Sequence, residues 1–132
     1  MVKSKIYVVK YAPVSGNSEK RQAFDIGKQL LNVAFDYVLT SPFDWAIESC
    51  EIILKPNRYG GSCLADQRLA EPADQKQIFT FLDELKLKVK DTDARILIVV
   101  NKNASPIIQA YFQNKHQSSN TNISVYEFDY SK

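Results

Sequence analysis

Histidine is almost absent from this chain: one, His116, occurs in 132 residues. A mechanism that needs two imidazoles is therefore excluded, and no histidine pair is present to hold a metal. Cysteine is scarce as well. Cys50 and Cys63 form neither a C-x-x-C motif nor a set with metal-spaced histidines, so no metal or cofactor is expected, and both read as free thiols, Cys50 in a core and Cys63 near a loop. Glycine-rich phosphate loops are missing too. Neither G-x-G-x-x-G nor G-x-x-x-x-G-K-S/T can be written through Gly60-Gly61, which reads as a turn. No apolar run approaches the ~20 residues of a membrane span, and no charged-then-apolar leader opens the chain. A cytoplasmic protein without a membrane partner is the expectation. An excess of one charge is also lacking: Lys plus Arg number 17 against 15 Asp plus Glu, too even a balance to favour nucleic acid as a partner.

What is present fits one compact domain spanning residues 1–132, with 45% hydrophobic and 24% charged residues. Strand and helix patterns alternate, predicting an α/β three-layer sandwich: a mainly parallel sheet with helices on both faces. Residues 5–10 read as the first strand, and Ser18 as the cap of a helix over 19–33, with Ala23, Ile26, Leu30, Leu31 and Ala34 at helical spacing. Tyr37–Thr40 is a short strand. Ser41-Pro42 then has the cap-then-proline form, with Asp44 placed for a capping box and Ala46, Ile47, Cys50, Ile53 and Leu54 on the buried side. Residues 55–74 form a loop with a short strand expected near Cys63 and Leu64. Ile78–Val89 is a third helix, whose Lys86, Lys88 and Lys90 suit its C-terminal end. Residues 96–100 are the clearest buried strand, Ser105-Pro106 opens a fourth helix running to about Gln113, and a last strand over 123–129 is expected at a sheet edge. Residues 114–122 are polar, and His116 among them reads as a surface residue.

In such sheets the ligand crevice lies beyond the carboxyl ends of the strands. Three ends can be named: Lys10-Tyr11-Ala12, Thr40-Ser41 with Trp45 one helical turn on, and Asn101-Lys102-Asn103. Lys10 and Lys102 have two uses open to them, as exposed loop lysines or as the positive side of a pocket for phosphate, nucleotide or an acidic peptide. Tyr11, Trp45 and Tyr59 offer an aromatic wall or ordinary rim packing. Ser41 has no base beside it, and Asp66, Glu71 and Asp74 are carboxylates without a nucleophile; they read as a cap and as solvated loop charges.

Ile6-Tyr7-Val8-Val9-Lys10-Tyr11-Ala12 resembles the opening strand of the histidine phosphatase (phosphoglycerate mutase-like) superfamily, which usually ends in Arg-His-Gly. Thr40-Ser41-Pro42-Phe43-Asp44-Trp45-Ala46-Ile47-Glu48-Ser49-Cys50-Glu51-Ile52-Ile53 is similar to its second block, commonly S-S-P-L-x-R-A-x-Q-T-A-E-I-I. The stretch 96–108 resembles the block V-L-V-V-S-H-G-G followed by a helix, and 120–125 the approach to the last strand. The length is closest to the small phosphohistidine phosphatases. The resemblance implies the fold, and it also implies which positions would do the chemistry. The phosphate-binding arginines would stand at Lys10 and Trp45, the nucleophilic histidine at Tyr11 and the second histidine at Asn101.

Each substitution has a physical consequence. Lys10 still attracts an anion but lacks the planar fork of arginine. Tyr11 carries a phenol of ordinary pKa about 10 with no base beside it in sequence. Trp45 supplies no charge to a phosphoryl transition state, and Asn101 donates a hydrogen bond without shuttling a proton. Catalytic residues are therefore not expected. The chain reads as a pseudophosphatase, a binding or regulatory module that uses Lys10, Tyr11, Ser41, Asn101 and Lys102 for a small phosphate-like anion or a protein partner. A phosphatase with residual or altered activity on phosphomonoesters or phosphohistidine is the alternative.

Overall fold

The computed structural model describes residues 4–10, 17–57, 59, 61, 63–70, 73–112, 116–118 and 123–128. Six strands form one sheet: β1 (Lys5–Lys10), β2 (Tyr37–Thr40), β3 (Leu64–Ala65), β4 (Arg95–Val100), β5 (His116–Ser118) and β6 (Ile123–Glu127). Four helices connect them: α1 (Asn17–Gln29), α2 (Asp44–Leu54), α3 (Gln75–Lys88) and α4 (Ser105–Tyr111). The strand order is β3-β2-β4-β1-β6-β5. The pairs β3–β2, β2–β4 and β4–β1 are parallel, while β6 runs antiparallel to both β1 and β5. This is the α/β sandwich that the alternating patterns predict.

The apolar runs explain the centre. Ile96, Leu97, Ile98, Val99 and Val100 are all fully buried, because β4 has a strand on each side and helices on both faces. Side chains alternate between two clusters. Val9, Val38, Leu97 and Val99 meet Ala23 and Ile26 of α1 and Cys50 and Ile53 of α2. Ile6, Val8, Ile96, Ile98 and Val100 meet Ile78, Phe81, Leu82 and Leu85 of α3 and Ile108 of α4. Helices α1 and α2 touch at Gly27. A Cβ there would sit 2.1 Å from the Ile53 carbonyl oxygen, so glycine is what allows the approach.

Several boundaries differ from the sequence expectation, each for a local reason. Ser18 lies inside α1 instead of capping it, and α1 stops at Gln29, after which turn hydrogen bonds lead through Leu30 and Val33 toward β2. Ser41 does not cap α2. That helix starts at Asp44 behind Phe43, while the Ser41 hydroxyl donates to the Leu69 carbonyl at 2.9 Å. Ser105 is likewise the first helical residue of α4, with Pro106 in its first turn. β6 is an interior strand, not an edge, because part of the polar 114–122 stretch forms β5 and pairs outside it, His116 opposite Tyr126. Polarity there marked the rim of the sheet, not a loop.

Candidate functional site

The connections reverse direction across the middle of the sheet. From β1 the chain crosses through α1 to β2, and from β2 through α2 to β3, with both helices on one face; α3 and α4 carry it back over the other. Right-handed crossovers require this arrangement, since moving in opposite directions along a sheet places helices on opposite faces. Helices α1 and α4, which follow β1 and β4, therefore lie on opposite faces, and β1 and β4 form the switch point, beyond whose carboxyl ends ligands bind in sheets of this kind. Lys10 pairs with Val100 in register, so it stands beside the residue that precedes Asn101. On the other flank of β4, Thr40 pairs with Val99, and the Ser41 N–H donates to the Val99 carbonyl at 3.3 Å.

Lys10, Ser41, Asn101 and Lys102 thus end three adjacent strands. Lys10 and Lys102 are exposed. Tyr11 and Ala12, at the end of β1, and Glu71 lie outside the described residues. Ser41 is fully buried and its hydroxyl proton is committed to Leu69, so it serves to tie the end of β2 to the short 3₁₀ turn Gln67–Leu69. Trp45 is half-buried in the first turn of α2, its ring stacked on Phe43 with centroids 6.2 Å apart. Asp74 caps α3, accepting from the Lys76 and Gln77 N–H groups. Asp66 is held below the ordinary carboxylate range by the hydrogen bonds of the Arg68 guanidinium, which also reaches Glu84 at 2.8 Å. These two carboxylates have structural duties.

Asn101 is the residue at the centre. Its side chain is 5% exposed, and its Oδ1 accepts the Asn103 and Ala104 N–H groups at 2.8 and 3.0 Å, which shapes the turn into α4. Its amide nitrogen has no partner. Thr40 and Ser49 carry the same signature: both are fully buried, and neither hydroxyl makes a hydrogen bond. A buried donor left without a partner costs about 1–3 kcal/mol, so such groups call for an explanation. Sequence reading missed Ser49 and gave Thr40 no role of its own. The only available signal was a hydroxyl at the end of one apolar run and another on the buried stripe of a helix. His116, by contrast, is far away: its backbone lies two strands from β1, level with Ile6. That is roughly 10 Å across the sheet and roughly 13 Å short of the strand end. Among the described residues no His, Cys, Asp or Glu cluster could hold a metal, and no helix is long and apolar enough to cross a membrane.

A sandwich of this strand order, with its switch point between β1 and β4, has the histidine phosphatase (phosphoglycerate mutase-like) fold. Three solved structures support that statement. A phosphoglycerate mutase from Plasmodium falciparum superimposes with a TM-score of 0.70 at 19% identity over 98% of this chain and 85% of its own. YhfR of Bacillus stearothermophilus gives 0.76 at 13% identity over 96% and 92%. The protein histidine phosphatase SixA, solved with tungstate bound, gives 0.71 at 12% identity over 93% and 86%. No family model and no curated protein matches the chain.

Proposed function

We propose that this chain is a catalytically inactive histidine phosphatase-like protein, a pseudophosphatase whose switch-point crevice binds a small tetrahedral oxyanion or the phosphoryl group of a partner protein. The unpartnered amide nitrogen of Asn101 carries the reading: it is a buried donor at the carboxyl end of the central strand, and an oxyanion would satisfy it. Lys10 adds positive charge at the neighbouring strand end, and Lys102 follows Asn101 directly. Tungstate bound to SixA supports the same chemistry, since it is a tetrahedral oxyanion like phosphate.

Against turnover stands the lack of a histidine at these strand ends. The single histidine has its backbone well away from the crevice, and an asparagine transfers no proton. Loss of general acid–base catalysis alone costs roughly 10²–10⁴ in rate, and the chain also lacks an arginine fork at Lys10 and Trp45.

Trp45, the only tryptophan, supplies a probe. Tungstate or phosphate is expected to change its fluorescence saturably and to raise Tm. Asn101→Asp keeps the oxygen that the Asn103 and Ala104 N–H groups use but replaces the free donor with an acceptor. It should fold and bind the anion at least about tenfold more weakly, about 1.4 kcal/mol. An aryl phosphate should show no turnover above blank. Turnover that disappears in Lys10→Ala would overturn the inactive assignment, and unchanged anion affinity in Asn101→Asp would overturn the site.

A further inference from the structure

The two cysteines, which look unrelated in sequence, meet in the fold. Cys50 lies on α2, fully buried in the cluster that α1 and α2 form with the sheet, and Cys63 packs against that cluster just before β3. Both are free thiols, Cys50 enclosed and Cys63 half-buried. The two thiol side chains lie close enough to interact with each other. Tyr59 stands next to the pair. Its ring folds over Gly61, where a Cβ would lie 2.5 Å from the phenol oxygen, and burial together with the two sulfurs pushes the phenol up from its ordinary pKa.

We propose that Cys50 and Cys63 are a redox-responsive pair that a hydroperoxide closes into an intramolecular disulfide. The roles follow from the asymmetry in burial. Cys63 is partly open to solvent, so a peroxide can reach it and it is the attacking sulfur; the neighbouring Cys50 lowers its pKa, against opposing contributions from burial and Glu51. Cys50 is enclosed, which makes it the resolving sulfur, and the neighbouring Cys63 together with burial raises its pKa.

In the first step the Cys63 thiolate attacks one oxygen of hydrogen peroxide. The O–O bond breaks, a sulfenic acid forms on Cys63, and hydroxide leaves and takes up the proton that the thiol had released. In the second step the Cys50 sulfur attacks the Cys63 sulfur, the S–O bond breaks, and the departing hydroxide takes the Cys50 proton. Two thiols and one peroxide give one disulfide and two waters.

The bond would join the middle of α2 to the start of β3. Because Ala65 pairs with Thr40 and the Asp66 N–H donates to the Thr40 carbonyl, it would also fix the edge strand beside the end of β2.

Reduced protein treated with a small excess of hydrogen peroxide and then with a maleimide tests this by mass spectrometry. The expected product is about 2 Da lighter, takes up no maleimide and yields a Cys50–Cys63 linked peptide. Its Tm should rise by roughly 5–10 °C, returning to the original value with a reducing agent. Cys50→Ser should accumulate a Cys63 sulfenic acid that dimedone traps, and Cys63→Ser should leave Cys50 unoxidised. Two free thiols surviving in the wild type would overturn the proposal. So would a Cys63 sulfinic acid or an intermolecular dimer as the main product, or oxidation of Cys63→Ser as fast as wild type. None of these readouts depends on anion binding.

Discussion

The two faces of the sheet are built from different materials. The face under α3 and α4 is hydrocarbon and aromatic: Phe112 stacks on Tyr126 at 4.7 Å, Phe128 leans on Phe112, and Tyr111 meets Phe79 edge to face. Its polar groups are paired, the Tyr111 hydroxyl with Asp83 at 2.7 Å and buried Ser4 with Val89, Thr92 and Ala94. The face under α1 and α2 holds the misfits. Thr40 follows Val38 by two residues and so shares that face, Ser49 lies on the buried stripe of α2, and the two thiols meet there. One face is optimised for stability, whereas the other retains soft and polar atoms that stability alone would have removed.

Five substitutions probe that difference, in order of decreasing effect. Phe112→Ala empties the aromatic stack and should cost about 3–5 kcal/mol by denaturant unfolding. A loss under 1 kcal/mol would mean the stack is not what holds that face. Gly27→Ala drives a methyl group into the Ile53 carbonyl and should cost about 1–3 kcal/mol, with α1 and α2 forced apart. Hydrogen exchange should show the loosening in those two helices and not in α3.

Changes to the misfits should have the opposite sign. Thr40→Val and Ser49→Ala remove buried hydroxyls without partners, so each should leave stability unchanged or raise it by up to about 1 kcal/mol. If Thr40 helps to hold an anion, Thr40→Val will also lower tungstate affinity, and thermal shift with and without the anion separates the two effects. The smallest effect belongs to Asp66. Its carboxyl titrates below its unfolded value because Arg68 hydrogen-bonds to it, so its contribution is complete above pH about 4 and is lost as pH falls through the folded pKa. Asp66→Asn should therefore cost under about 1 kcal/mol at pH 7 and flatten the acid limb of the stability profile.

The sheet centre was legible because a strand buried on both faces must be continuously apolar, as β4 is from Ile96 to Val100. The caps were not. Ser41 has the right residue type one position before a proline, but a carbonyl 28 residues away competed for its hydroxyl and won. Asn101 illustrates the limit for the site. Its place at a strand end could be read from the run before it, whereas its half-satisfied amide depends on what the folded chain brings to each of its atoms. The cysteine contact was hidden for the same reason, because the intervening 51–62 segment has no motif that signals its return. β6 was misplaced since a polar three-residue strand leaves no apolar alternation by which to recognise the rim.

The strand order also sets when the sheet can form. β1 and β2 are consecutive in the chain but are not neighbours, since β4 lies between them and pairs Lys5 with Arg95 on one side and Tyr37 with Ile96 on the other. Until residues 95–100 are available, β1 and β2 cannot be joined in one sheet. Contacts of such high sequence separation slow folding, because the loop entropy must be spent before any pairing energy is returned. β4 is accordingly expected to be the element whose arrival starts cooperative assembly. Mutations that weaken its pairing are expected to slow refolding, while those confined to α4 accelerate unfolding instead.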